Sequence, residues 1–316
     1  MKVDFITQNA KLDSGSYRIW VRDLSKSLSE VNGVTSTIYT TTLPEIYLKD
    51  SLYDSDNLAF IKPSNNKNPG LEALGYSNNF DIEGVFDSTD CVIFCKSLCD
   101  SELINDLRIV YPKIKIGVIN MAKDMYNKNI DFLVVGSPEE YCSMRNTCDK
   151  VFIYPLIERS FENESMKIHK ETDRLRICFH GHYPHLFKFE PFLKSAIQDL
   201  SKVIPIDLVI ITSLNAEQLE KFWHAGRPIG PEINLEVHKY DLNIMSEIVK
   251  SCDVGVVPNV TDMRLFVENL ETMNSSDFGL YSTDYFLRFK NKTNGGRAYV
   301  FYQHGIPVIH DLSPSS

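Results

Sequence analysis

No apolar run in this chain approaches the roughly 18 residues that a membrane-spanning helix requires. The start, Met1-Lys2-Val3-Asp4-Phe5, reads as a strand and lacks the apolar core of a signal peptide. These absences lead us to expect a soluble, cytoplasmic chain that is at most peripheral to the inner face of a membrane. Positive charge is in deficit: 33 lysines and arginines against 42 acidic residues leave a net charge of -9, which argues against general nucleic-acid binding. Any phosphate site must therefore be a local basic patch in an acidic protein. Cysteine lacks a pairing pattern as well. The seven cysteines are odd in number and several fall inside apolar runs, as reduced cytosolic thiols do. Cys91, Cys95 and Cys99 recur every four residues, but the first two lie in a strand-like run, where that spacing does not converge on one metal.

What is present is ordinary globular material. With 316 residues, 43% hydrophobic and 24% charged, the chain has room for two domains with cores of their own. Val3 to Thr7 reads as a strand, followed by a turn-forming run to Gly15. Trp20, Leu24, Leu28 and Val31 then form the stripe of a helix that stops at Asn32-Gly33, and Val34 to Tyr39 is a second strand. This βαβ order puts Gly15, Ser16 and Arg18 at the carboxyl edge of a parallel sheet, where Arg18 either meets a ligand or is a surface helix residue. Residues 41 to 90 carry no clear pattern. Beyond them, strands at Cys91 to Phe94, Ile114 to Ile119, Phe132 to Val135 and Val151 to Pro155 alternate with helices. One helix opens on Ser137-Pro138-Glu139-Glu140, the signature of a capping box.

The segment 158–173 is charged and without period, as a linker between domains would be. After it the rhythm restarts. Strands are expected at Leu175 to Phe179, Asp207 to Ile211, Ile233 to Val237, Val254 to Val257 and Ile306 to Ile309. Helices are expected over Phe189 to Val203, with Phe192, Ala196, Leu200 and Val203 facing inward, over Ala216 to Trp223, and over Ile244 to Val249. The pattern predicts an α/β fold of two doubly wound, Rossmann-like domains, residues 1–157 and 174–316, facing each other across a cleft.

Two stretches carry the candidate chemistry. Directly after the first strand of the second half stands His180-Gly181-His182, with Lys188 following; the histidines have no carboxylate or cysteine at a matching spacing, so each reads as a polar loop residue or hydrogen-bond donor. Near the end, Lys290, Lys292, Asn294, Gly295, Gly296 and Arg297 open a helical pattern. A helix start offers unpaired N–H groups and partial positive charge, glycines let backbone approach a ligand, and the cations add full charge. The alternative is a solvated basic loop before an ordinary helix.

Taken in order, these motifs resemble those of retaining-type glycosyltransferases of the GT-B fold. The resemblance rests on Gly15-Ser16-Tyr17-Arg18, on Val134-Val135-Gly136-Ser137, on Val151 to Pro155, on Gly181 and Lys188, on Cys252 to Pro258, and on Lys-x-x-x-Asn-Gly-Gly-Arg before Gly305-Ile306-Pro307-Val308-Ile309. It covers nearly the whole chain. It implies transfer of a sugar from a nucleotide diphosphate sugar to a glycan or lipid-linked acceptor, without a cofactor or metal. Gly181, Lys188, Lys292 and Arg297 would then face the diphosphate, with Lys188 and Arg297 assisting its departure, and Gly15 and Arg18 would lie across the cleft. Two departures stand out. Related donor domains carry a glutamate for the ribose five residues before the glycine of Gly-x-Pro, and here that position is Val300, leaving Asp277 or Asp284 as substitutes. Related chains also continue further, whereas this one stops at Ser316, so the resemblance implies a short second domain. If the reaction inverts, Asp13 and Asp124 are the candidate bases. Two other functions fit the same scaffold: a noncatalytic nucleotide-sugar or glycan-binding protein, and a sugar-nucleotide epimerase.

Overall fold

The computed structural model describes residues 1–7, 17–40, 58–60, 82–95, 101–120, 126–181, 183, 192–222, 233–258 and 295–310. The chain divides into two compact units, Met1–Leu156 and Ile157–Ser316.

The first unit is built on a parallel sheet of seven strands: β1 (Lys2–Thr7), β2 (Thr35–Thr40), β3 (Leu58–Phe60), β4 (Cys91–Cys95), β5 (Lys115–Ile119), β6 (Phe132–Val135) and β7 (Val151–Ile153), in the order β3-β2-β1-β4-β5-β6-β7. Continuous rather than alternating burial in β1, β4 and β5 follows from apolar layers on both faces. One layer gathers Ile6, Phe94, Ile104, Leu107 and Ile116; the other gathers Phe5, Trp20, Ile93, Cys95 and Ile119. The helix after β1 departs from a simple stripe. Arg18–Asp23 is π-helical and only Leu24–Ser29, α1, is α-helical. The wider turn lets Ile19, Trp20 and Val21 be buried together, whereas Val31 lies past the helix end and is 53% exposed. Helices α2 (Ser101–Val110) and α3 (Pro138–Met144) complete the described part.

The second unit repeats the plan on five parallel strands: β8 (Leu175–His180), β9 (Ile206–Thr212), β10 (Asn234–Lys239), β11 (Val254–Val257) and β12 (Val308–His310), ordered β10-β9-β8-β11-β12. Helices α4 (Phe192–Ser201), α5 (Ala216–Phe222), α6 (Leu242–Lys250) and α7 (Gly296–Gln303) cover it. In α4 the inward residue is Ile197, with Leu193 one turn earlier, whereas Leu200 is partly exposed and Val203 lies beyond the helix end. The expected stripe was thus one position out of phase. Close packing of α7 on β11 depends on Gly255, since a β-carbon there would come within 2.5 Å of the Phe301 ring.

Residues 158–173, read from their charge as a linker, are anchored along the second unit. Phe161 is buried edge-on against His304, with ring centres 4.8 Å apart. The Lys167 ammonium donates to the Cys252 carbonyl at 2.6 Å and to Asp253 Oδ1 at 2.8 Å, and Lys250 pairs with Glu164 at 2.5 Å. The lack of period reflects a strap that buries a single apolar side chain, Phe161, leaves Met166 and Ile168 exposed, and is otherwise held by polar contacts. Among the described residues, no helix is long and apolar enough to cross a membrane.

Candidate functional site

In an open parallel sheet, ligands bind at the carboxyl ends of the strands where the strand order reverses. In the second unit that point lies between β8 and β11. β8 ends on His180, and the chain leaves it through Gly181 at φ +144°, a backbone region that side chains rarely adopt. Two hydrogen bonds fix the turn: the Gly181 amide donates to the Ile211 carbonyl at 3.0 Å, and Thr212 Oγ1 donates to the Gly181 carbonyl at 2.8 Å.

The start of α7 meets this turn. His180 Nε2 lies 2.8 Å from the Arg297 carbonyl oxygen, and the His180 ring packs edge-on against Phe301 at 4.9 Å. A β-carbon on Gly181 would stand 3.0 Å from Arg297 Cδ, so the stem of Arg297 runs directly over the glycine. His180 is buried, and burial pushes its pKa down to about 4, only partly opposed by the bond to the Arg297 carbonyl. The ring is therefore neutral near pH 7, and because a carbonyl only accepts, its proton sits on Nε2.

The α7 start differs from those of α3, α5 and α6, each of which carries a side-chain cap. Ser137 caps α3 by accepting from the Glu140 amide, while Glu140 Oε2 accepts from the Gly136 amide at 2.5 Å. At α5 Asn215 accepts from the Gln218 amide and Gln218 from the Asn215 amide, and Asp241 caps α6. Gly295, the N-cap of α7, contributes no side-chain cap. What this junction can do chemically is hold an anion: a helix end with its partial positive charge, a backbone bared by Gly181, and the Arg297 cation meet there.

The structure thus brings His180, Gly181, Gly295, Gly296 and Arg297 together. Lys188, His182, Lys290, Lys292, Asn294, Gly15 and Ser16 lie outside the described residues, as do Asp13, Asp124, Asp277 and Asp284. Arg18 is buried rather than a surface helix residue. Val300 is buried in the apolar layer under α7 with Ala298, Phe301 and Ile306, and its carbonyl accepts from His304 Nδ1 at 2.7 Å. Thr212 and Phe301 were not singled out from the sequence. A threonine closing an apolar strand and a phenylalanine in a helix carry no sequence mark of a site. Among the described residues no group of three His, Cys, Asp or Glu side chains could hold a metal ion.

No protein-family profile matches the chain, and no curated protein matches its sequence. Solved structures do. The lipopolysaccharide outer core galactosyltransferase WaaB in its apo form superposes with a TM-score of 0.52 at 13% identity, over 99% of this chain and 94% of that one. MurG of Acinetobacter baumannii matches over 97% of this chain and 96% of its own, at 12% identity and a TM-score of 0.46. A UDP-GlcNAc 2-epimerase from Neisseria meningitidis, bound to UDP-GlcNAc, matches over 81% and 77% of the two chains at 15% identity and a TM-score of 0.46. The chain therefore has a GT-B-like fold, with two parallel α/β units.

Proposed function

We propose that the protein is a glycosyltransferase that moves a sugar from a nucleotide diphosphate sugar to a glycan or lipid-linked acceptor. The supporting observation is the junction of Gly181 with the Gly295–Arg297 helix start at the switch point of the second sheet. As the bond from the sugar carbon to the diphosphate oxygen breaks, its electron pair stays on that oxygen. Arg297 and the α7 N-terminus stabilise the added charge because they are already in position. In this reading Lys188, Lys290 and Lys292 add further charge, His182 and Asn294 line the donor site, and Gly15, Ser16 and Arg18 belong to the acceptor side. The reaction retains configuration, needs no divalent ion, and takes place in the cytoplasm, with peripheral membrane contact where the acceptor is lipid-linked. A thermal melt with millimolar UDP or GDP tests this: the expected result is a raised melting temperature in the wild type and a smaller rise in Arg297→Ala. No shift with any nucleotide diphosphate would remove the donor-site reading.

A second reading has an observation in its favour. Val300 faces the core where related donor domains carry a carboxylate for the ribose, which suits a noncatalytic nucleotide-sugar or glycan-binding protein. Sugar transfer or donor hydrolysis in a clean preparation would exclude it.

A further inference from the structure

Arg297 can stabilise a leaving diphosphate only if it is held in place. A guanidinium on a flexible stem must be held in one geometry before it can bind a diphosphate well. Among the described residues, contacts at this junction come from three elements. From the turn after β8, Gly181 has no β-carbon, and the Arg297 stem fills that space at 3.0 Å. From β9, Thr212 locks the Gly181 carbonyl. From β8 itself, His180 reaches the Arg297 backbone, its ring seated on Phe301 one turn further along α7.

We infer that His180 is a positioning residue: by donating Nε2–H to the Arg297 carbonyl it ties the first turn of α7 to the end of β8 and so sets where the Arg297 guanidinium stands. It is not a proton-transfer group. This inference rests on the reading of Arg297 as the diphosphate contact, but its mechanical part does not need a ligand. A histidine next to a glycine at a strand end looks at first like a ligand-binding or acid–base residue. Here its proton is committed to a backbone carbonyl, and its burial opposes the charged form that acid catalysis would require.

The test compares His180→Gln, whose amide can still donate near the Nε2 position, with His180→Leu, which fills the space without a donor. The first measurement uses no ligand: the Arg297 Nε–H resonance, assigned by its loss in Arg297→Lys. It should be dispersed in the wild type and in His180→Gln and should move to the free-arginine position in His180→Leu. The second is affinity for UDP or GDP by calorimetry. His180→Leu should lose roughly two- to tenfold, the range of one neutral hydrogen bond, and His180→Gln should recover it. In an Arg297→Ala background His180→Leu should cost nothing further. An Arg297 resonance indifferent to His180→Leu, or an equal loss of affinity in both backgrounds, overturns the inference. If the wild type binds no nucleotide diphosphate, the proposed function fails while the resonance still decides whether His180 positions Arg297.

Discussion

The helix that begins at Pro138 and the one that begins at Gly296 both occupy crossovers of a parallel sheet, and their ends are finished in opposite ways. In the first unit the chain supplies its own anion. Glu140 folds back onto the Gly136 amide and Ser137 takes the Glu140 amide, so the partial positive charge of the helix is already answered. In the second unit Gly295 offers no side chain, and Arg297 places a cation in the first turn. In the proposed function, the α7 start serves the donor because its N-cap brings no carboxylate or hydroxyl of its own.

The largest expected effect concerns pH, because all eight histidines lie between positions 169 and 310. The folded pKa of His180 is pushed down to about 4, so below the ordinary histidine value the unfolded chain binds the extra proton. Stability from this group is complete above about pH 6.5 and is lost as pH falls toward 4, by about 3 kcal/mol at most. Denaturant unfolding of His180→Gln should show that much less acid sensitivity than the wild type; equal acid limbs would mean the ring is more solvated than its burial indicates. The first unit has only carboxylates to contribute there. At Asp131, for example, burial acts to raise the pKa, but the Ile116 amide and Arg108 outweigh it and hold the carboxyl below its usual range.

Arg297→Ala should weaken UDP or GDP binding by roughly 10- to 100-fold, as expected for one charge-assisted contact, whereas Glu140→Ala should leave it unchanged. Calorimetry on both variants sharpens the comparison, and an equal loss in Glu140→Ala would end it. Gly181→Ala should destabilise the protein by about 1–3 kcal/mol through its backbone region and its approach to Arg297, read from chemical denaturation. The smallest effect is at Ser137→Ala, about 1 kcal/mol of stability with no change in nucleotide affinity.

Most strands were legible because each is a short apolar run bounded by turn residues. Phe132–Val135 and Val254–Val257 fall where the pattern puts them. β3 was missed, since three residues within the patternless stretch 41–90 are too few to show a period. The helix after β1 was legible as a helix, but its π-helical opening was not, because hydrophobic spacing assumes a constant turn. At the site, glycines and cations announced themselves by residue type. The roles of Thr212, Phe301 and the His180 ring were not legible, because they arise from contacts between elements separated by tens of residues.

The strap from Glu158 to Asp173 bears on how this protein can be divided. A gene cut placed after Asp173, where charge pattern alone would put it, removes Phe161 from its seat beside His304 and strips Lys167 from the Cys252 carbonyl and Asp253. A fragment beginning at Ile157 keeps these contacts. Chimaeras that exchange the second unit between related proteins should therefore carry the strap with the sheet it binds, treating residues 157–316 as the smallest transferable piece.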